Sequence, residues 1–419
     1  MVTFDRAKLA RIVDWILVAI AVALPWSTSA VSILVIVWLL LLILTLSWAD
    51  ICREVMTPAG GLPVLLFLLG VCGMAWADVS LLERWRGLDG FLKLLTIPLL
   101  IAQGRRSENT ERIFLGFLAS CFALLIASFV LWAKTRNLPG INEPGVPVKS
   151  YIVQSAEFTL CALALLYLAV DEIRQKRFLY AAGLSALSFA FLYNIFFVAT
   201  GRTTLVVIPA LLLLYGLRHF SWKGVLSIVA AALIAIVATW ATSNYVRDRT
   251  LGVLASIKKE VTIVREGNCV SVPSGPNCLT SPGERILYWL KSIQIISDSP
   301  IYGHGTGSIN ATFRRAAVGE TGVRSEVSSN PHNQTFAVAI QLGALGTLAL
   351  WAMWVAHLFS FRENSLIAWI GLTVVMQNIV GSLFNSFLFD FTEGWLYVIG
   401  FGVAAGMVRR HRDAPLLTS

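Results

Sequence analysis

The chain has 419 residues, of which 57% are hydrophobic and only 14% charged, with a formal net charge of +9. Soluble globular chains carry about 25% charged residues, and this one instead shows many apolar runs of about 18 residues or more, so the composition excludes a set of soluble domains and indicates an all-α polytopic membrane protein. The positive charge does not indicate nucleic acid as a partner, because the basic residues sit in the loops between apolar runs, as the positive-inside rule requires.

In chain order, about twelve transmembrane helices are expected, forming a single bundle over 1–419. The first two run roughly 12–28 and 30–48, with Arg6, Lys8 and Arg11 ahead of the first, which reads as an uncleaved anchor. The next pair runs roughly 60–77 and 91–103. Between them, Leu82 to Lys93 carries charges at helical spacing and is expected along the membrane interface. The fifth and sixth run roughly 113–133 and 152–170, and the seventh to ninth roughly 179–199, 204–217 and 224–243. A long polar segment, 244–330, is inserted between the ninth and tenth helices and is expected to contain short helices. The last three spans run roughly 333–357, 365–384 and 391–408.

With the N-terminus inside, the loops holding Arg53, Arg105 and Arg106, Arg174 and Arg177, Arg218 and Arg362 all fall on the cytoplasmic side, as does the tail with Arg409, Arg410 and Arg412. The long segment then faces outward, which is the periplasm in a Gram-negative cell. Gly201-Arg202-Thr203, between the seventh and eighth spans, falls on that same face.

Three stretches on this face carry candidate chemistry. Arg202 sits between two spans with almost no loop; such a charge either snorkels to headgroups or clamps an anion, for which a guanidinium fork suits phosphate oxygens. Ser281-Pro282-Gly283-Glu284 has capping-box spacing, so a helix is expected from Pro282, with Arg285 in its first turn and Tyr288 and Trp289 on the same face. Arg285 is read either as half of an ion pair or as a phosphate contact. Downstream, Asp298 to Gly307 alternates glycines; Gly303 and Gly305 form either a simple turn or an anion nest of backbone N–H groups. The third stretch is Ser329 to Gly346. Asn330 as N-cap and Pro331 at the first helical position would start a helix with neutral His332 in its first turn, and His332, Phe336, Ala339, Gly343 and Gly346 would share a face that admits a close neighbouring helix. His304 is the rival base. Cys269 and Cys278, in the polar segment, are expected to form a disulfide if the loop faces an oxidising compartment. No metal cage, Walker A loop or G-x-S-x-G elbow is present in the sequence, so no cofactor is expected.

His332-Asn333, followed after nine residues by Gly343 and after two more by Gly346, resembles the H-[NSQ]-x9-G-x2-[GTY] signature of the bacterial O-antigen ligase family. The likeness extends to the number of helices, the single large outward loop, the arginine opening the eighth span and the D-x-P-x-x-G-x-G run. It implies a glycosyltransferase of the bacterial inner membrane, with a periplasmic active site, that moves a polysaccharide from undecaprenyl pyrophosphate to a sugar hydroxyl of lipid A–core without metal and with inversion. In this resemblance His332 is the general base. Arg202 and Arg285 bind the pyrophosphate, with Arg265 competing for the role of Arg285. From the residues themselves rather than the resemblance, Tyr288, Trp289, Gly303, Gly305 and Asn333 are expected to line the substrate site. The alternatives are an O-antigen polymerase or protein O-oligosaccharyltransferase of the same group and, from another class, a lipid-linked glycan transporter.

Overall fold

A computed structural model describes residues 6–107, 109–138, 143–199, 201, 203–219, 221–227, 229–230, 258–264 and 279–413. The expected ninth span, Arg202, Arg265 and both Cys269 and Cys278 lie wholly or largely outside the described residues. The labelled helices are α1 (Arg6–Ala23), α2 (Thr28–Ile43), α3 (Trp48–Val55), α4 (Pro58–Gly73), α5 (Leu81–Leu92), α6 (Thr96–Arg106), α7 (Glu111–Thr135), α8 (Tyr151–Arg174), α9 (Phe178–Phe197) and α10 (Thr204–His219). They continue with α11 (Ser281–Asp298), α12 (Ile309–Ala316), α13 (Gln334–Phe359), α14 (Leu366–Gly381) and α15 (Phe391–Asp413). Several begin where a hydroxyl residue precedes an apolar run: the side chains of Ser27, Ser47, Thr57, Ser80, Ser150 and Ser365 each accept a first-turn N–H.

Among the described residues six helical stretches are long and apolar enough to cross a membrane, and three shorter apolar helices and one bent pair accompany them. The protein is a multi-pass helical membrane protein. The element pattern departs from the expected one in two places near the N-terminus. The span expected over 30–48 ends at Ile43 and turns by 114° into α3. Leu82 to Lys93 is helical and continues through a 3-10 turn into α6 as one 26-residue stretch, Leu81–Arg106, so the helix of the span expected over 91–103 begins at Leu81. The apolar residues from Leu94 onward extend the same helix, which outweighs the charged face of its first turns.

One end of the bundle gathers the basic residues assigned to the cytoplasmic loops. Glu54, fully buried in the last turn of α3, meets Arg105 Nη1 at 3.1 Å and pairs with Arg409. Arg106 approaches Asp50 at 3.5 Å, Arg105 reaches Asp413 at 2.6 Å, and Arg412 lies 3.5 Å from Glu363. Arg218, in the last turn of α10, donates to the carbonyls of Phe361, at 2.8 Å, and Glu363. The first turn of α13 therefore lies at the opposite end, as does the start of α10 beside Gly201 and Thr203.

At that opposite end α13 is broken. Gly343 adopts φ 61° and ψ −151°, a conformation open only to glycine. The break frees the carbonyls of Ile340 and Gln341, which accept the N–H groups of His304 at 2.8 Å and Gly305 at 2.9 Å, while Ala344 N donates to Pro300 O at 2.8 Å. The segment 300–307 thus threads into the helix. It is held on its other side by α4, where Thr306 N donates to Gly73 O at 3.0 Å and Thr306 Oγ1 to Gly70 O at 2.5 Å. The small face expected to receive a neighbouring helix at Gly343 receives this backbone instead: a Cβ on Gly343 would stand 2.3 Å from the carbonyl oxygen of Ile301.

Candidate active site

His332 does not lie in the first turn of α13. The helix starts at Gln334, capped by Asn333, whose side chain accepts from Phe336 N at 3.1 Å. Asn330, the expected cap, is engaged elsewhere: its Oδ1 accepts from His332 N at 2.8 Å and from Ser386 Oγ at 2.7 Å. This local turn, anchored to the segment between α14 and α15, leaves His332 with φ 51° just ahead of the helix. Asn333, expected to touch substrate, is the helix cap and also donates to Leu383 O at 3.1 Å.

The same 382–390 segment fixes the histidine ring. His332 Nδ1 lies 2.9 Å from Asn385 Oδ1. A carbonyl oxygen only accepts, so Nδ1 carries the hydrogen, and in the neutral ring the lone pair is on Nε2. The half-buried ring stacks on Tyr288 at a centroid distance of 6.0 Å and 21° between planes. Trp289 Nε1 approaches His332 O at 3.4 Å. Residues 288 and 289, far upstream in sequence, are therefore both against His332.

They are presented by α11, which begins at Ser281 rather than at Pro282. The expected capping box is absent because Thr280 is the cap residue, and its hydroxyl is spent on Glu260 Oε1 at 2.5 Å. Arg285 is half-buried in the first turn. Lys291 Nζ donates to the carbonyls of Arg324 at 2.5 Å and Glu326 at 2.6 Å. This clamp sets the Glu326 carboxylate 3.5 Å from the Tyr288 hydroxyl. Burial, and then the neighbouring carboxylates of Glu326 and Glu284, push the Tyr288 phenol up to about 12, so it stays protonated. Burial also raises Glu284, with Glu326 adding to the shift and His332 and Arg285 opposing it. Arg285, Glu284, Glu326, Tyr288 and His332 thus form one electrostatic neighbourhood.

The glycine turn plays a different part from the one expected. Gly303 N donates to Ser299 O at 3.1 Å, and the N–H groups of His304, Gly305 and Thr306 are spent on α13 and α4. Gly307 N donates to Gln341 Oε1 at 2.8 Å. With these donors consumed, Gly303 and Gly305 form no anion nest; they permit close backbone approach, and a Cβ on Gly303 would lie 2.5 Å from Gln341 C. His304 is also absorbed: its Nε2 lies 2.8 Å from Ile295 O, near the end of α11. Asn385, Glu284 and Glu326 were not legible as site residues. Glu284 was visible only as a capping candidate, and Asn385 and Glu326 sit in stretches without periodicity or motif.

A histidine with one nitrogen held as donor and the other carrying a lone pair is suited to general-base chemistry. No curated protein matches the chain. Residues 186–351 match the family model described as O-Antigen ligase (Wzy_C). That stretch contains α11, the threaded glycine turn, His332 and the break at Gly343, so the chain carries a domain of the O-antigen ligase family.

Proposed function

We propose that the protein transfers a glycan from an undecaprenyl-pyrophosphate donor to a sugar hydroxyl of lipid A–core at the periplasmic face of the inner membrane. The observation that carries this reading is the His332–Asn385 hydrogen bond within a domain of the ligase family. His332 Nε2 takes the proton of the acceptor hydroxyl as its oxygen bonds to the anomeric carbon. The bond from that carbon to the pyrophosphate oxygen breaks on the opposite face, inverting the centre, and undecaprenyl pyrophosphate departs. Arg285 and Arg202 neutralise the charge that grows on the leaving group. The test is reconstitution of the purified protein with the lipid-linked glycan and lipid A–core. A glycan-bearing lipid A–core product is expected without added nucleotide, and its absence with a donor and acceptor proven competent in membranes would refute the reading.

Two further outcomes are expected. Arg285→Ala and Arg202→Ala should each raise the donor KM by at least about tenfold, since each removes a charge-assisted contact of roughly 1.5–3 kcal/mol. Lysine at either position should recover only part of this, keeping charge but losing the fork. An unchanged donor KM in both alanine variants would remove the arginines from the donor site. Reporter fusions should place residue 285 outside and residues 53, 106 and the C-terminus inside; an external C-terminus would separate His332 from the periplasm.

A further inference from the structure

A second polar concavity lies beside the His332 site. It is an open cleft of about 480 Å³ between α5 and α12, floored by Gly307, Gln341, Ser329 and Phe389. On α5, Leu81, Leu82, Trp85 and Leu92 are exposed apolar residues, whereas Glu83, Arg86, Gly87 and Gly90, at helical spacing, line the cleft. The helix is pressed onto the threaded turn, because a Cβ on Gly87 would stand 2.3 Å from Gly307. From the other wall, Asn310 and Arg314 line it one turn apart on α12.

The arginines at the cleft divide into two kinds. Arg84 donates to Met74 O at 2.8 Å and Val79 O at 3.1 Å, and Arg315 pairs with Asp78 at 3.0 Å. Their neighbours Arg86 and Arg314 are exposed, line the cleft, and make no hydrogen bond or ion pair among the described residues. Both face the same cleft and lie within electrostatic range of the same carboxylate, Glu83. Glu83 is itself committed to Ser80, accepting from its N at 3.0 Å and its Oγ at 2.7 Å. Asp89, Asn310 and Ser329 supply acceptors and donors of the kind that bind hydroxyls, and half-buried Phe389 supplies a ring.

We propose that this cleft is the acceptor subsite for an anionic saccharide: Arg86 and Arg314 hold a phosphate or carboxylate on one sugar, and Asp89, Asn310 and Ser329 hold its hydroxyls. The inference rests on the glycan-transfer reading above. The mixture of two arginines with two carboxylates fits a sugar bearing one anionic group among hydroxyls. It fits a bare pyrophosphate poorly, since the carboxylates would repel it. Position supports the acceptor as well. Ser329 is three residues before His332, so their Cα atoms are at most about 11 Å apart, and Phe389 follows Asn385 in the segment that holds the histidine ring. A saccharide seated in the cleft would extend one or two sugar units to reach the base.

The test uses the purified full chain and the Arg86→Ala/Arg314→Ala double variant, with lipid A–core either intact or enzymatically dephosphorylated. For intact acceptor the double variant should show a KM raised by at least about tenfold, from the loss of charge-assisted contacts, with kcat and donor KM near the unaltered protein's. Convergence of the unaltered protein and the variant on dephosphorylated acceptor identifies the held anion as a phosphate, and a persisting difference identifies it as a sugar carboxylate. Direct binding of the delipidated core oligosaccharide, measured by calorimetry, should show the same ranking without turnover. An unchanged acceptor KM and unchanged oligosaccharide binding in the double variant would overturn the assignment, as would a rise in donor KM instead. Failure of the glycan-transfer reading is distinguishable: the unaltered protein would then form no product with either acceptor, while the calorimetry would still decide whether the cleft binds the anionic saccharide.

Discussion

His332→Ala should lower transfer by roughly 10²–10⁴-fold, the contribution expected of a positioned general base. The variant should still insert and fold, because the ring is half-buried and its contacts to Asn385 and Tyr288 are local. Donor affinity should largely survive, since the proposed partner of Nε2 is the acceptor hydroxyl. Asn385→Leu provides the finer test. It removes the acceptor for Nδ1–H and should lower kcat by about tenfold or more, the worth of one hydrogen bond to an imidazolium, without altering donor KM. Asn385→Asp keeps an acceptor at that position and should recover most of the loss. Single-turnover transfer with purified variants separates these outcomes. Near-normal turnover by well-folded His332→Ala would end the general-base assignment. His304 offers no easy replacement, because its ring is tied to Ile295 O at 2.8 Å.

Gly343→Ala should be among the most damaging single-methyl changes in the described residues at this end of the bundle. The conformation at φ 61° and ψ −151° costs a non-glycine residue roughly 1–3 kcal/mol, and the added Cβ, 2.3 Å from the Ile301 carbonyl oxygen, adds overpacking of roughly 1–3 kcal/mol. The obstructing atom is backbone, so no side-chain rotation relieves it. A fall in thermal stability of the detergent-solubilised protein is expected together with loss of transfer, because the displaced segment also carries the floor of the cleft and the end of α11. Gly319→Ala is the control: its φ is 80° but a Cβ there meets nothing within 4 Å, so only the backbone cost of about 1–2 kcal/mol applies. Equal losses from the two substitutions would show that packing against 300–307 is not the cause.

What was readable in the sequence follows from the range of each interaction. The apolar spans were legible because burial in lipid demands long apolar runs, and the arginines of the predicted cytoplasmic loops do gather at one end of the bundle. Helical spacing put Tyr288 and Trp289 on one face with Arg285, but their contact with His332, more than 40 residues downstream, carries no local signal. The start of α13 was misplaced by three residues because two asparagines compete for the cap, and Pro331 favours the first of them. Asn330 is withdrawn by its bond to Ser386, a partner 56 residues away that no local pattern reveals. The break at Gly343 was invisible for a related reason: the apolar residues on either side keep helical spacing, and only the backbone of 300–307 makes the interruption favourable. Asn385 carries no local signal at all, since its role comes from the ring it faces.

The carboxylate of Glu54 links the fold to the order in which it is made. Two of its partners come early, Arg53 beside it and Arg105 51 residues downstream, whereas Arg409 is 355 residues away. At roughly 5–20 residues per second, translation takes about 20–70 seconds to supply that third cation. Until then the bundle also lacks α15, which packs along α6 and whose spanning window is 89% buried. During synthesis the early helices therefore hold a paired acidic group with its Oε2 still awaiting Arg409, and a groove along α6 awaiting α15. α15 thus acts as a latch: a chain stopped short of Arg409 lacks both the third cation at Glu54 and the helix that fills the groove along α6.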